Sequence, residues 1–174
     1  MAILELRIAP DPILNTKASE VTEVNEEIRQ LLHDMVESMY AYDGAGLAAN
    51  QVGVLKRLFV IDIARSNEEP NPMKFINPVF TYRSTEQIEY NDGCLSVPGF
   101  FYPNSRASKV EMDYLNEHGQ KQSIVAEGLL AYALQHEADH LDGKLYIEYL
   151  SSFKRLNIMR KLTKEKKISL RRKK

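Results

Sequence analysis

The chain has 174 residues, 44% of them hydrophobic, which suits one domain with its own core and leaves little room for a second. Its formal net charge of −1 conceals an imbalance: residues 1–150 carry 12 Lys and Arg against 23 Asp and Glu, whereas residues 151–174 carry 11 against 1. Residues 1–12 lack the apolar run of a secretion signal, no stretch reaches membrane-spanning length, and the lone Cys94 excludes an intrachain disulfide and fits a reducing cytoplasm.

In chain order, Ile28, Leu31, Leu32, Met35, Val36, Met39 and Tyr40 recur at helical spacing and predict a helix over 25–40. It runs into Asp43-Gly44-Ala45-Gly46, where two glycines permit backbone angles and close approaches that larger residues resist, as a loop beside a ligand would require. Residues 58–63, 75–76 and 79–82 read as short strands joined by turns. Val110, Met112 and Tyr114 alternate with Glu111 and Asp113, and a partner strand follows the turn at 116–119, giving a hairpin with one wet face.

Residues 129–141 contain no proline or glycine and are rich in Leu and Ala, which predicts a helix buried on most sides. Phe153, Leu156, Met159 and Leu162 place a last helix over 152–163. The expected class is α+β: antiparallel strands packed around a central metal-binding helix, with a long N-terminal helix and a C-terminal helix. Residues 1–150 are expected to form the catalytic domain, and 151–174 a basic helix and tail of the same domain.

His136-Glu137-Ala138-Asp139-His140 has the form HExxH. On a helix, residues four apart share a face, so both imidazoles can reach one ion while Glu137 handles a water held there. Leu134 and Leu141 bracket the motif and set its polar groups near a core, where they are costly unless paired. Two imidazoles suit zinc or ferrous iron, and a third protein ligand would leave a position for water. Residue type leaves that ligand open among Cys94, Asp142 and Glu148. Cys94 sits in the turn Asp92-Gly93-Cys94-Leu95-Ser96-Val97-Pro98, although a lone cysteine is commonly just a small buried hydrophobe.

Three segments together resemble the peptide deformylases: Gly44-Ala45-Gly46-Leu47-Ala48-Ala49-Asn50-Gln51, Asp92-Gly93-Cys94-Leu95-Ser96 and Gln135-His136-Glu137-Ala138-Asp139-His140-Leu141-Asp142-Gly143. The resemblance spans essentially the whole chain. It implies a hydrolase that removes the formyl group from the N-terminal methionine of newly made polypeptides and releases formate. It also implies Cys94, His136 and His140 as ligands of one divalent ion, natively Fe(II), with Zn(II) or Ni(II) as substitutes. Glu137 would take a proton from water and return one to the leaving amine.

Gln51 and the Leu95 backbone amide match the family's donors to the developing oxyanion. Gly44, Ala45 and Gly46 are expected to align the peptide by strand-like hydrogen bonds, with Gly93 beside them. Leu129, Tyr132 and Ala133 are expected to line a methionine pocket, though Leu129 and Ala133 equally suit a plain core. The expected partners are formylmethionyl peptides and, for the basic tail from Lys154 to Lys174, ribosomal RNA; a solvated helix end is the other reading of such a charge run. No membrane is expected, and the chain is expected to be a monomer.

Two departures from the family pattern stand out. Asp92 occupies a position usually held by Glu and is expected to pair with Arg106, bracing the loop that bears Cys94. Phe100-Phe101-Tyr102 lies where many relatives have polar or basic residues. The motif also admits two other readings. One is a small HExxH endopeptidase; the other is a ribosome-binding protein with a structural metal, which requires four protein ligands and no bound water.

Overall fold

The computed structural model describes residues 2–64 and 67–172; Lys173 and Lys174, the end of the expected basic tail, lie outside the described residues. Helix α1 (Glu26–Ala41) begins at Asn25, whose side-chain oxygen accepts from the Ile28 amide at 3.1 Å, satisfying a donor that a helix start leaves free. Its stripe of Leu32, Met35, Val36 and Met39 packs with Leu47, Leu58 and Val60. Each such side chain contributes about 1.5–3 kcal/mol by leaving water. The turn after α1 puts the left-handed backbone on Asp43, with φ 54°, and not on a glycine.

Among the described residues seven strands follow: β1 (Gly46–Ala48), β2 (Leu58–Ile61), β3 (Met73–Arg83), β4 (Gln87–Cys94), β5 (Val97–Ala107), β6 (Lys109–Leu115) and β7 (Lys121–Glu127). An antiparallel sheet runs in the order β1-β2-β3-β6-β7, and β4 pairs with β5 in a separate two-stranded sheet. The expected 110–126 hairpin is β6 and β7. The two short strands expected around Pro78 are instead one strand, β3, with register shifts after Ile76 and Phe80. Proline cannot donate to a ladder, and here it sits in the irregular stretch. Asn77, at φ 49°, fills the gap by exchanging side-chain hydrogen bonds with the Val21 backbone at 2.8 Å each way.

Helix α2 (Gly128–Leu141) lies against the larger sheet and buries Ala131, Leu134, Ala138 and Leu141 with Phe59, Phe75 and Met112. Its final carbonyls are taken by residues distant in sequence. Leu141 O accepts from Ala18 N at 2.8 Å and Arg57 Nη1 at 3.3 Å, and Asn50 Nδ2 donates to His140 O. Helix α3 (Ser152–Arg172) extends beyond the expected end at 163, because the residues that follow include no helix breaker. Ile158 and Leu162 anchor it on Leu14, Val97 and Tyr146. The fold is α+β with α2 at its centre, as expected. No helix among the described residues is long and apolar enough to cross a membrane.

Candidate active site

Three elements converge on one point. Cys94 ends β4, Gln51 lies in the single 3-10 turn Ala49–Val52 after β1, and His136, Glu137 and His140 lie on α2. The ligand atoms of Cys94, His136 and His140 fall within 4.8 Å of one another, with Cys94 Sγ 3.3 Å from His140 Nε2. No fourth His, Cys or carboxylate joins this group among the described residues, so the closed four-ligand site of a purely structural metal is not formed.

Asp92 orients the His136 ring. Its Oδ1 lies 2.8 Å from His136 Nδ1, which leaves Nε2 for the shared point. Asp92 Oδ2 accepts from Asn104 Nδ2 at 3.1 Å and Arg106 Nη2 at 3.3 Å, so the expected Asp92–Arg106 pair is present and buried. Arg106 also bonds Asp139 Oδ2 at 2.6 Å, and Tyr149 donates to the same oxygen at 2.9 Å.

Burial alone would raise the Asp92 carboxyl, but the His136 hydrogen bond and the charges of His136 and Arg106 hold it well below the usual carboxylate range. Burial alone would lower His136, yet its bond to Asp92 raises it well above the ordinary imidazole value. Burial and the neighbouring His136 charge push His140 well below it. Burial pushes Glu137 up to about 7, against the lowering effect of His136. Asp92 thus favours positive charge on His136, whether carried by a proton or by a coordinated cation.

The donors fit a divalent ion. One sulfur and two imidazoles are a ligand set for a borderline-soft cation, and the buried Glu137 Oε2 has no hydrogen-bond partner in the protein, as expected of a group reserved for a water or substrate. Cys94, His136 and His140 therefore make a site for a single divalent metal.

Gln51 is held on both sides. Its Oε1 accepts from the Ala48 amide at 2.8 Å, and its Nε2 lies 3.4 Å from Cys94 Sγ and 3.2 Å from Ser96 Oγ. The Gly44, Ala45, Gly46, Gly93, Leu129, Tyr132 and Ala133 set lines one cleft of ≈ 790 Å³ together with Gln51, Cys94, Leu95, His136 and Glu137. His140 lies beneath that cleft, 1% exposed. Tyr132 is nearly buried and donates to Asn104 O at 3.2 Å, whereas Leu129 is 47% exposed and so is not a plain core residue. The glycines serve close approach: a Cβ on Gly46 would overlap the Glu137 carboxylate, and one on Gly44 would stand 2.7 Å from Leu95 Cδ1.

Sequence reasoning gave Asp92 a brace with Arg106 and missed its bond to His136. It also missed Asp139 as the second partner of Arg106, and Asn50 and Ser96 around the ligands. Asp139 carried a signal, since an acid inside a motif flanked by leucines requires a buried cation, and Arg106 was already singled out.

A family model described as polypeptide deformylase matches residues 3–156. The chain is 44% identical over 167 residues to the peptide deformylase of Rhizobium meliloti, covering 96% of each. It is 49% identical over 165 residues to that of Azotobacter vinelandii, covering 95% of this chain and 97% of the relative. Among solved structures, the peptide deformylase of Ehrlichia chaffeensis superposes with a TM-score of 0.92 at 38% identity, covering 97% of this chain and 99% of that one. The same enzyme in complex with actinonin gives a TM-score of 0.90 at 40% identity, covering 95% and 98%. With a match on this scale joining the three segments, the chain belongs to the polypeptide deformylase family.

Proposed function

We propose that the protein is a peptide deformylase that hydrolyses the N-formyl group from the N-terminal formylmethionine of newly made polypeptides in the cytoplasm, releasing formate. The observation that carries this reading is the convergence of Cys94, His136 and His140 at the floor of a cleft, beside a buried Glu137 with an unpartnered oxygen. When bound, the divalent ion supplies a Lewis acid that makes water nucleophilic near neutral pH. Cys94, His136 and His140 hold that ion.

Glu137 takes a proton as water attacks the formyl carbon, then delivers one to the amine nitrogen as the C–N bond breaks. Its carboxyl, raised by burial to about 7, is suited to both transfers near neutrality. Gln51 Nε2 and the Leu95 amide donate to the oxyanion that develops on the formyl oxygen. β1 is the outermost strand of its sheet, so the peptide can pair along Gly46 and the Gly44-Ala45 segment that leads into the strand. Gly93 contributes to the opposite wall, where the absence of a side chain accommodates the Phe101 ring, and Leu129, Tyr132 and Ala133 receive the methionine side chain.

Fe(II) is the resident ion in this reading, with Zn(II) or Ni(II) able to replace it, since a thiolate and two imidazoles accept all three. The chain acts as a monomer, residues 1–150 forming the catalytic domain. The cations of α3 meet ribosomal RNA near emerging chains; Lys154, Arg155 and Arg160 are exposed, which supports that contact. The test is formate release from formyl-Met-Ala-Ser by metal-loaded protein prepared without oxygen, set against cleavage of an N-blocked peptide lacking formyl. Formate release sensitive to actinonin is expected. Cleavage of the blocked peptide without formate release would replace this reading with an endopeptidase.

A further inference from the structure

Three consecutive aromatics on β5 divide between two faces. Phe100 and Tyr102 pack toward α3, beneath Lys161 and Lys154, whose amines lie 5.7 and 5.1 Å from the ring centres. Phe101 lines the cleft instead and is 69% exposed. Strand alternation alone sends residues 100 and 102 to one face and 101 to the other, and a pairing irregularity lies next to them. Asp92 pairs with Tyr102 and Cys94 with Val97, so residues 98–101 face Gly93 alone. Such bulges bend a strand and re-aim its side chains beside active sites. The Phe101 ring lies over Gly93, where a Cβ would stand 2.5 Å from its Cδ1 and Cε1. Gly93 precedes the ligand Cys94, so the ring borders the path of any peptide whose formyl group reaches the metal.

The charge of the cleft adds to this. Its lining includes the carboxylates of Asp43, Asp92 and Glu137 and no Lys or Arg. Asp92 is neutralised by Arg106 and Glu137 is buried, which leaves Asp43 as the exposed charge at the mouth. The cations nearest this strand, Lys154 and Lys161, lie over Tyr102 and Phe100 and are not part of the cleft lining. An exposed aromatic face on a wall that bears no Lys or Arg favours apolar and aromatic groups over carboxylates.

Resting on the deformylase reading, we propose that Phe101 is a specificity-determining residue. Its ring packs against a side chain downstream of the formylmethionine, selecting aromatic or large apolar residues and discriminating against Asp and Glu. The contact is made equally in ground and transition states, so it acts through KM more than through kcat.

The test measures kcat/KM of the metal-loaded full chain on formyl-Met-X-Ser and formyl-Met-Ala-X peptides, with X as Phe, Leu, Ala, Lys and Asp. At one of the two positions the wild type is expected to prefer Phe over Asp by about tenfold or more, mostly in KM. Phe101→Ala is expected to cut the preference for Phe over Ala to about twofold, and Phe101→Arg to relieve the discrimination against Asp. A flat wild-type profile, or a preference that survives Phe101→Ala, overturns the proposal. Loss of formate release from every peptide overturns the deformylase reading itself. Because Phe101 is largely exposed, its substitution leaves the core intact, and a thermal melt checks this.

Discussion

Asp92 grips two partners that would otherwise be costly to bury: one carboxylate oxygen lies 2.8 Å from His136 Nδ1 and the other 3.3 Å from Arg106 Nη2. The two contacts have different consequences. The first aims a ligand, and the second neutralises a cation inside the protein.

Asp92→Asn should lower metal affinity about 10- to 100-fold, the usual effect of losing the carboxylate behind a coordinating histidine. Competition with a chelator reads this directly. Asp92→Ala should also cost about 1–3 kcal/mol of stability, because His136 and Arg106 each lose a buried partner while Arg106 keeps Asp139. A variant that kept wild-type metal affinity would show that the His136 bond is not used for orientation.

Gly46→Ala should reduce kcat about a hundredfold while metal content stays whole, since the added methyl occupies the seat of the Glu137 carboxylate and displacements of about 1 Å cost that much. Glu137→Ala should likewise keep metal and lose turnover. Cys94→Ala or His140→Ala should lose both. Metal analysis beside formate release separates the two classes, and full turnover by Glu137→Ala would remove its assigned role.

Asp62 organises the start of the segment after β2. It accepts from Tyr40 OH, from Ala64 N at 2.8 Å and from Asn71 N at 2.8 Å. Burial alone would raise its carboxyl, but these donors bring it below the ordinary value. A folded-state pKa below the unfolded one means the stabilisation is present above the unfolded pKa and is lost as pH falls through the folded one. The stability gap between wild type and Asp62→Asn should therefore be full at pH 7 and close on acidification below about pH 4. Urea midpoints at both pH values check the sign.

Ribosome association through α3 should weaken steeply between about 50 and 200 mM salt, because neutralising phosphates releases counterions. Substituting Arg155 and Arg160 by Ser should flatten the slope. Co-sedimentation that ignored salt would remove the electrostatic account.

Long periodic elements were legible from sequence because their information is local. The helices α1 and α2 and the β6–β7 hairpin each carry their own pattern and lie within a residue or two of where periodicity puts them. β4 and β5 were not legible: Pro98, Gly99 and Pro103 read as breakers, and only pairing to a neighbour makes the segment a strand. The HExxH spacing exposed two ligands, since a helix fixes their geometry. The third could not be chosen among Cys94, Asp142 and Glu148 by residue type, because nothing local tells which lies near α2 in space. The family resemblance pointed to Cys94, and that sulfur is the one found beside His140 Nε2.

The capture of the last carbonyls of α2 by Ala18, Asn50 and Arg57 has a consequence for how the catalytic centre comes into being. The helix bearing both histidines is clamped by residues synthesised far ahead of it, while the sulfur arrives on a separate hairpin between them. A fragment carrying HExxH alone would hold the letters of the motif without its cage, so ion capture reports closure of the whole chain.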